Sequence, residues 1–237
     1  MHIANDIASS LTSSQKTLFE GTCFGPWLRV QQGSGDPMLT NLFLQHMIDV
    51  DELPVGIERG EEEFWFYFQP VHYARFGREE FCLVTGLRFG RYNSSAPYIQ
   101  HIRTPSWVLH VFPDYKIGGD GLKVYEFEIV VQNKGQSSAL SDDNFVRVCL
   151  ILLVEAGFTG KQPNQYVSND LLLLASDLEA WNKFPWGSYL WEKVHEQISG
   201  SRSKIGANSR KYTLLGFMWA FKVSTKGIYL SMYILFI

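Results

Sequence analysis

The chain has 237 residues, of which 46% are hydrophobic and 15% aromatic, and its formal net charge is -3. That hydrophobic content can fill a sizeable core, so disorder over the whole chain is excluded. The near-neutral balance also lacks the overall basic excess that is typical of nucleic-acid-binding domains.

The first segment, residues 1–18, is rich in serine and threonine and weakly periodic, which predicts a loose N-terminal leader. It has no basic stretch followed by an apolar run, so no secretory signal is predicted. Further along, Asp36 followed by Pro37 is typical of a helix start, and an amphipathic helix is expected to follow.

Two segments within residues 49–68 differ in chemistry. Residues 49–63 are strongly acidic, whereas Phe64–Phe68 (FWFYF) has the composition of a strand and, with Tyr73–Phe76 after Pro70, predicts a short aromatic β-hairpin. The acidic segment is either a docking strip for a basic partner or a solvated loop, which is the commoner outcome for such a charge run. The candidate protein-docking residues are Glu61, Glu62, Trp65 and Tyr67.

The pattern after the hairpin is mostly helical. Arg78–Leu87 predicts a helix that ends at Gly86, whereas Val124–Gln132 (VYEFEIVVQ) alternates like a strand in its first half. Residues 212–223 are expected to close the core. Three further helices are predicted over residues 143–158, 169–181 and 186–198. The first of these three is apolar all round, which indicates a buried central helix.

A search for reactive chemistry finds few candidates. The sequence has no HxxxH or CxxC pattern, no EF-hand, no phosphate-binding glycine loop and no GxSxG motif. Cys82 and Cys149 lie in apolar segments and are predicted to be core thiols, which leaves Cys23 as the candidate exposed thiol, with no base tied to it. The sequence therefore predicts no catalytic residue, metal ligand, cofactor or small-molecule substrate. An enzyme with an unrecognised site remains the weakest of three functional hypotheses.

Basic residues gather towards the C-terminus. Between residues 202 and 226, six lysines and arginines occur without an acid, interleaved with aromatic residues. A segment of this kind is compatible with binding to a nucleic-acid backbone. It is also compatible with a basic surface loop beside an aromatic core helix, and this second interpretation is the one we favour. The candidate nucleic-acid contacts are Arg202, Lys204, Arg210 and Lys211.

The tail at residues 223–237 is atypically apolar. Its apolar run from Gly227 to Ile237 is shorter than the ~20 residues that a membrane span needs, and extending it upstream meets Lys222 and Lys226. A membrane anchor is therefore not predicted.

Several short blocks rich in aromatic residues and glycine stand out along the chain. They are Thr22–Gly25 (TCFG), Phe64–Phe66 (FWF), Phe76–Gly90 (FGREEFCLVTGLRFG), Leu178–Gly187 (LEAWNKFPWG), Trp191 with Glu192, and Gly216–Phe221 (GFMWAF). With these blocks the chain resembles the plant domain-of-unknown-function family nineteen-eighty-five, over about residues 19–222. The blocks at 76–90 and 178–187 are the most specific.

The resemblance implies a plant-specific protein of transposon origin. Longer members of the family often carry a SUMO-protease-like cysteine peptidase after this domain, which needs a histidine, an aspartate, and a glutamine shortly before a cysteine. His110, Asp114 and Cys149 occur in a permissive order, but no glutamine lies just before Cys149. The peptidase is therefore predicted to be absent, and no catalytic residue carries over.

These observations together predict one mainly α-helical domain, α+β in detail, over residues 19–222. The leading functional hypothesis is a non-enzymatic protein-interaction or accessory module of a SUMO-protease-like protein, in the nucleus. The alternative is a nucleic-acid-binding accessory domain that uses residues 202–226.

Overall fold

The computed structural model describes residues 2–29, 37–58, 60, 62–70, 72–91, 95–116, 118–205 and 220–221. Its α-helices are α1 (His2–Ser10), α2 (Ser13–Glu20), α3 (Pro37–Gln45), α4 (Arg78–Thr85), α5 (Ala96–Ile99), α6 (Ser106–Val111), α7 (Val124–Gln132), α8 (Lys134–Ala139), α9 (Asp142–Leu152), α10 (Asn169–Leu174), α11 (Leu178–Lys183) and α12 (Trp186–Ile205). Short 3₁₀ helices span Gly25–Leu28 and Val50–Glu52, and a π-helix, Leu153–Phe158, continues α9. The strands are β1 (Met47–Ile48), β2 (Phe64–Phe68) and β3 (His72–Phe76).

The expectation of a mainly α-helical fold, α+β in detail, is confirmed. The predicted aromatic hairpin is formed by β2 and β3, which pair antiparallel with Phe64 opposite Phe76. The short β1 pairs with the other edge of β2, where Met47 lies opposite Phe66, so that the strand order is β1-β2-β3.

The chain divides into two compact units, residues 1–32 with 92–184 and residues 33–91 with 185–237. In the first unit, α2 and α7 pack against α9. Every residue from Val148 to Val154 is buried, which confirms the central helix that the apolar run predicts.

In the second unit, α12 packs against α3 and α4 and brings Trp191 into an aromatic core. The ring centroid of Trp191 lies 5.5 Å from that of Phe76 and 5.6 Å from that of Phe81, both edge to face. Phe221 is fully buried and contacts Phe76 at 5.2 Å. Edge-to-face pairs of this kind add to the stabilisation from burial alone.

The prediction of a loose leader is wrong for the residues described there. Helix α1 buries Ala4 and Ile7. Helix α2 begins at a capping box, in which the Gln15 N–H donates to the Thr12 hydroxyl and the Thr12 N–H donates to the Gln15 side chain. The T-x-x-Q pattern at these positions is the sequence signal for that helix start.

The strand predicted over Val124–Gln132 is also wrong, because this segment is helix α7. Its buried side chains recur every three or four residues and share one helical face: Val124, Phe127, Val130 and Val131. The Lys123 N–H donates to the Glu126 carboxylate at 2.7 Å, which caps the first turn. The acids that interleave the apolar residues produced the apparent alternation.

The helix predicted over residues 169–181 is interrupted at Asp177. The carboxylate of Asp177 accepts hydrogen bonds from the N–H groups of Glu179 and Ala180, which starts α11 as a separate helix.

Parts of two predicted segments fall outside the described residues. For the closing helix at 212–223, only Ala220 and Phe221 are described, and both are buried. The tail at 223–237 lies wholly outside. Within the described residues, no helix combines the length and apolarity required to cross a bilayer.

Candidate functional site

An acidic surface lies between β1 and β2 in the second unit. We define it as the exposed side chains of residues 49–58, which are Asp49, Val50, Asp51, Glu52, Pro54, Val55 and Glu58. The Val55 side chain is as exposed as in an extended peptide, at 104%, and Val50 is 39% exposed. Exposed valines among carboxylates form a patch that is both acidic and apolar.

The predicted docking residues on the hairpin have internal partners. Trp65 is 7% exposed, and its indole N–H donates to the Glu63 carboxylate at 3.2 Å. Tyr67 is half-buried, and its hydroxyl donates to the Pro70 carbonyl at 2.7 Å. Glu62 has a left-handed backbone (φ 58°) and accepts a hydrogen bond from the Trp191 indole at 3.1 Å. Glu61 lies outside the described residues.

Arg75 on β3 holds the acids at the base of the hairpin together. Its guanidinium lies 2.8 Å from the Glu80 carboxylate and 3.3 Å from that of Glu63, and it also pairs with Glu79. Three carboxylates around one guanidinium give this cluster of four side chains a net negative charge. The acids nearest the hairpin therefore organise the fold, while those of the acidic surface face solvent.

A second surface is an open cleft of about 570 Å³ in the first unit. It lies where α6, the connection from α8 to α9, the start of α9 and the end of α10 meet. Its polar lining consists of Ser106, His110, Ser141, Asn144, Arg147 and Ser176. From the sequence alone, none of these residues is assigned to a binding site, and His110 is considered only for the peptidase that is predicted to be absent. The spacings of Ser106 with His110 and of Asn144 with Arg147 place each pair on one helical face, but nothing local shows that the two faces meet.

Arg147 is fixed within this cleft by two hydrogen bonds. Its Nε–H donates to the Ala175 carbonyl at 2.9 Å, and its Nη1–H donates to the Asn144 side-chain oxygen at 2.9 Å. His110 is exposed, and its Nδ1 lies 3.1 Å from the Ser106 carbonyl. A carbonyl can only accept, so Nδ1 carries the hydrogen in that bond.

Two of the three cysteines, Cys23 and Cys149, are poor candidates for a thiol nucleophile. Burial raises the pKa of Cys23 to about 12, against a lowering contribution from a backbone hydrogen bond. Burial also raises the pKa of Cys149, which is fully enclosed, as predicted for a core thiol. Cys82 is half-buried. The raised pKa values of Cys23 and Cys149 keep those two thiols protonated at neutral pH, which makes them poor nucleophiles. Within the described residues, no cluster of His, Cys, Asp and Glu is arranged to hold a metal ion.

The predicted basic contacts are described only in part. Arg202 and Lys204 belong to the last turns of α12, and Arg210 and Lys211 lie outside the described residues.

The sequence blocks that stand out along the chain meet within each unit. In the first unit, the Cys23 N–H donates to the Asn182 side chain at 2.8 Å, which joins the block at 22–25 to the block at 178–187. In the second unit, the Gly187 N–H donates to the Arg88 carbonyl at 2.9 Å. The Ser188 hydroxyl there also donates to the Gly90 carbonyl at 2.8 Å. These blocks therefore build the fold.

A model of the family described as Domain of unknown function (DUF1985) matches residues 57–197, more than half of the chain. The chain belongs to this family. The match contains both of the most specific blocks and confirms the resemblance. Comparison with curated proteins and with solved structures gave no match. The DUF1985 description names no activity.

Proposed function

We propose that this DUF1985 domain is a protein-interaction module that docks a basic, amphipathic segment of a partner protein on its acidic surface. In this proposal it serves as an accessory to plant, transposon-derived proteins of the nucleus whose longer forms carry a SUMO-protease-like peptidase. The observation that carries the proposal is the combination of exposed Val50 and Val55 with four exposed carboxylates in one short loop.

The hairpin supports this loop rather than contacting the partner directly. Glu62 is anchored on Trp191, and Glu63 joins Trp65 to Arg75. These bonds hold the end of the acidic segment against the core of the second unit. A loop attached in this way loses less conformational entropy on binding than a free one.

The expected affinity is low. Burying a valine side chain fully contributes about 1.5 kcal/mol or more, and an exposed ion pair contributes about 0.2–1 kcal/mol. Two valines and a few ion pairs then favour transient docking, with a Kd of roughly 0.1–1 mM. Charge complementarity mainly increases the association rate and makes binding sensitive to salt.

The test is a fluorescence-anisotropy titration of the full chain with a labelled amphipathic helical peptide of lysine and leucine. Its counterpart, with glutamate in place of lysine, is the control peptide. The lysine peptide should bind with the stated affinity and weaken with salt, and the glutamate peptide should not bind. Val55→Ser should raise the Kd about fivefold or more, because the apolar contact is lost.

Charge reversal separates a specific surface from general attraction. The Asp51→Lys, Glu52→Lys double variant should abolish binding. The matched control is Asp114→Lys with Asp120→Lys, which reverses two exposed carboxylates of the other unit and should change the Kd less than twofold. Equal loss of peptide binding in both double variants would show that the interaction depends only on net charge, and it would contradict the proposal.

A second candidate function is nucleic-acid binding through residues 202–226, which is favoured by the run of six basic residues without an acid. The full chain would be titrated with random duplex and single-stranded DNA at two salt concentrations. Affinity that falls steeply with salt and is lost in Arg210→Gln with Lys211→Gln would support it. No binding at low salt would rule it out.

A further inference from the structure

The cleft in the first unit is lined by several side chains that can donate hydrogen bonds, and one of them, Arg147, is charged. Three backbone carbonyls bonded by lining side chains are already occupied: that of Ser106 by His110, that of Ala175 by Arg147, and that of Leu172 by the Trp107 indole at 3.0 Å. The donors are less fully used. The guanidinium of Arg147 has five N–H groups, and the two bonds given above use two of them.

Asn144 lines the cleft and keeps a side-chain donor group. Its Oδ1 accepts from Arg147, so the amide presents its Nδ2 as the remaining donor group. Ser141 accepts from the Asn144 N–H at 3.4 Å and keeps its hydroxyl hydrogen for another partner. Donors from α6, from the α8–α9 connection and from α9 thus line one cleft, which has no carboxylate among its lining residues.

Arg147 is a half-buried cation that forms no ion pair with any carboxylate in the described part of the chain. Both groups that fix it are neutral amide oxygens. A guanidinium held in place by neutral acceptors is not paired with a counter-charge and presents a rigid set of donors, the arrangement that suits oxyanions.

We infer that this cleft is a binding site for a phosphate monoester group, with Arg147 as the charged contact and Asn144, Ser141 and Ser106 as neutral donors. The three terminal oxygens of a phosphate monoester accept more hydrogen bonds than the two of a carboxylate, which matches four separate donor groups. A volume of about 570 Å³ is within the range of small-molecule sites. The phosphate belongs either to a small molecule or to a phosphorylated side chain.

The test is isothermal titration calorimetry of the full chain with three probes: inorganic phosphate, a phosphoserine peptide with glycine and alanine flanks, and the same peptide without phosphate. At least one phosphate probe should bind, and the unphosphorylated peptide should not. A phosphopeptide that binds at least tenfold more tightly than phosphate identifies a phosphorylated side chain. Equal binding identifies a small phosphorylated molecule.

Two cleft variants and one matched control decide the assignment. Arg147→Gln should raise the Kd at least tenfold for the phosphate probe that binds. Ser141→Asp should do the same, because aspartate caps a helix as well as serine does but adds a negative charge to the cleft. Arg103 is an exposed arginine of the same unit that lies outside the lining, and Arg103→Gln should change the Kd of that probe less than twofold. Thermal unfolding of each variant shows that it is folded.

Absence of binding by both phosphate probes would overturn the proposal. Equal binding of a phosphate probe by the unsubstituted chain and by the folded Ser141→Asp variant would also overturn the proposal.

Discussion

Replacing Lys161 with methionine should destabilise the first unit much more than replacing its partner, Glu155, with glutamine. Glu155 lies in the π-helix and is completely buried, yet it is a carboxylate. Its oxygens accept from the Lys161 ammonium at 2.9 and 3.0 Å and from the Ser168 N–H at 2.6 Å. Lys161 also donates to the Tyr166 carbonyl at 2.9 Å, so the pair fastens the loop at 159–168 to the central helix.

The asymmetry follows from burial. Lys161→Met leaves a buried carboxylate without its counter-ion, which typically costs about 3–5 kcal/mol. Glu155→Gln keeps an acceptor for Ser168 and leaves the ammonium of Lys161, whose side chain is 29% exposed, able to reach water. That change should cost about 1–2 kcal/mol. The double variant should therefore be more stable than Lys161→Met alone.

The assay is guanidinium denaturation followed by tryptophan fluorescence, with hydrogen exchange of residues 155–168 to localise the effect. Lys183→Met is the matched control, because Lys183 forms an exposed i,i+4 pair with Glu179 and its loss should change stability little. Equal destabilisation by Lys161→Met and Lys183→Met, or a double variant no more stable than Lys161→Met alone, would refute the reasoning.

Three further predictions follow from local geometry. Gly187→Ala should lower stability by about 1–3 kcal/mol, because a Cβ there would lie 2.7 Å from the Arg88 carbonyl oxygen. The control is Gly200→Ala in α12, where a Cβ would meet open space. This control should leave the thermal midpoint unchanged or raise it. Asp177→Ala should cost about 1 kcal/mol at neutral pH. The hydrogen bond from the Ala180 N–H lowers the pKa of Asp177, so its contribution is complete above the pKa of the unfolded chain and disappears as the pH falls through the folded value; pH-dependent denaturation of Asp177→Ala should therefore show a smaller loss of stability in acid, and an unchanged acid profile would contradict this. Cys23, with its pKa near 12, should resist alkylation at pH 8 until denaturant is added, as peptide mass mapping would show, and rapid labelling of the folded chain would revive the enzyme hypothesis.

The elements predicted correctly are those whose signal is local. The helix at Arg78–Thr85 has acids in its first turn and ends at Gly86, whose φ of 67° suits glycine. The central helix is an unbroken apolar run behind a serine cap. The hairpin is predicted from its aromatic residues.

Where two periodicities fit one segment, tertiary packing decided the outcome. The segment VYEFEIVVQ satisfies a strand pattern over four residues and a helical pattern over nine, and its burial against α9 selects the helix. Asp177 was missed as a helix breaker because its effect depends on a side-chain cap rather than on proline or glycine.

The candidate site was predictable only in part. The acidic composition of residues 49–63 was visible in the sequence. Which of these acids bond within the fold and which stay exposed was not. Glu62 and Glu63 bond to Trp191 and Arg75, which are distant in sequence or on another strand, while Asp51 and Glu52 stay exposed. The cleft around Arg147 draws on segments 70 residues apart, so no window of sequence contains it.

The central claim is that the acidic surface docks a basic amphipathic segment. The most direct measurement is hydrogen–deuterium exchange of the full chain with and without a saturating amount of the lysine–leucine peptide. The account predicts added protection at residues 49–58, and none at those residues in the Asp51→Lys, Glu52→Lys variant. Protection confined to other segments, or none at all under saturating conditions, would contradict it.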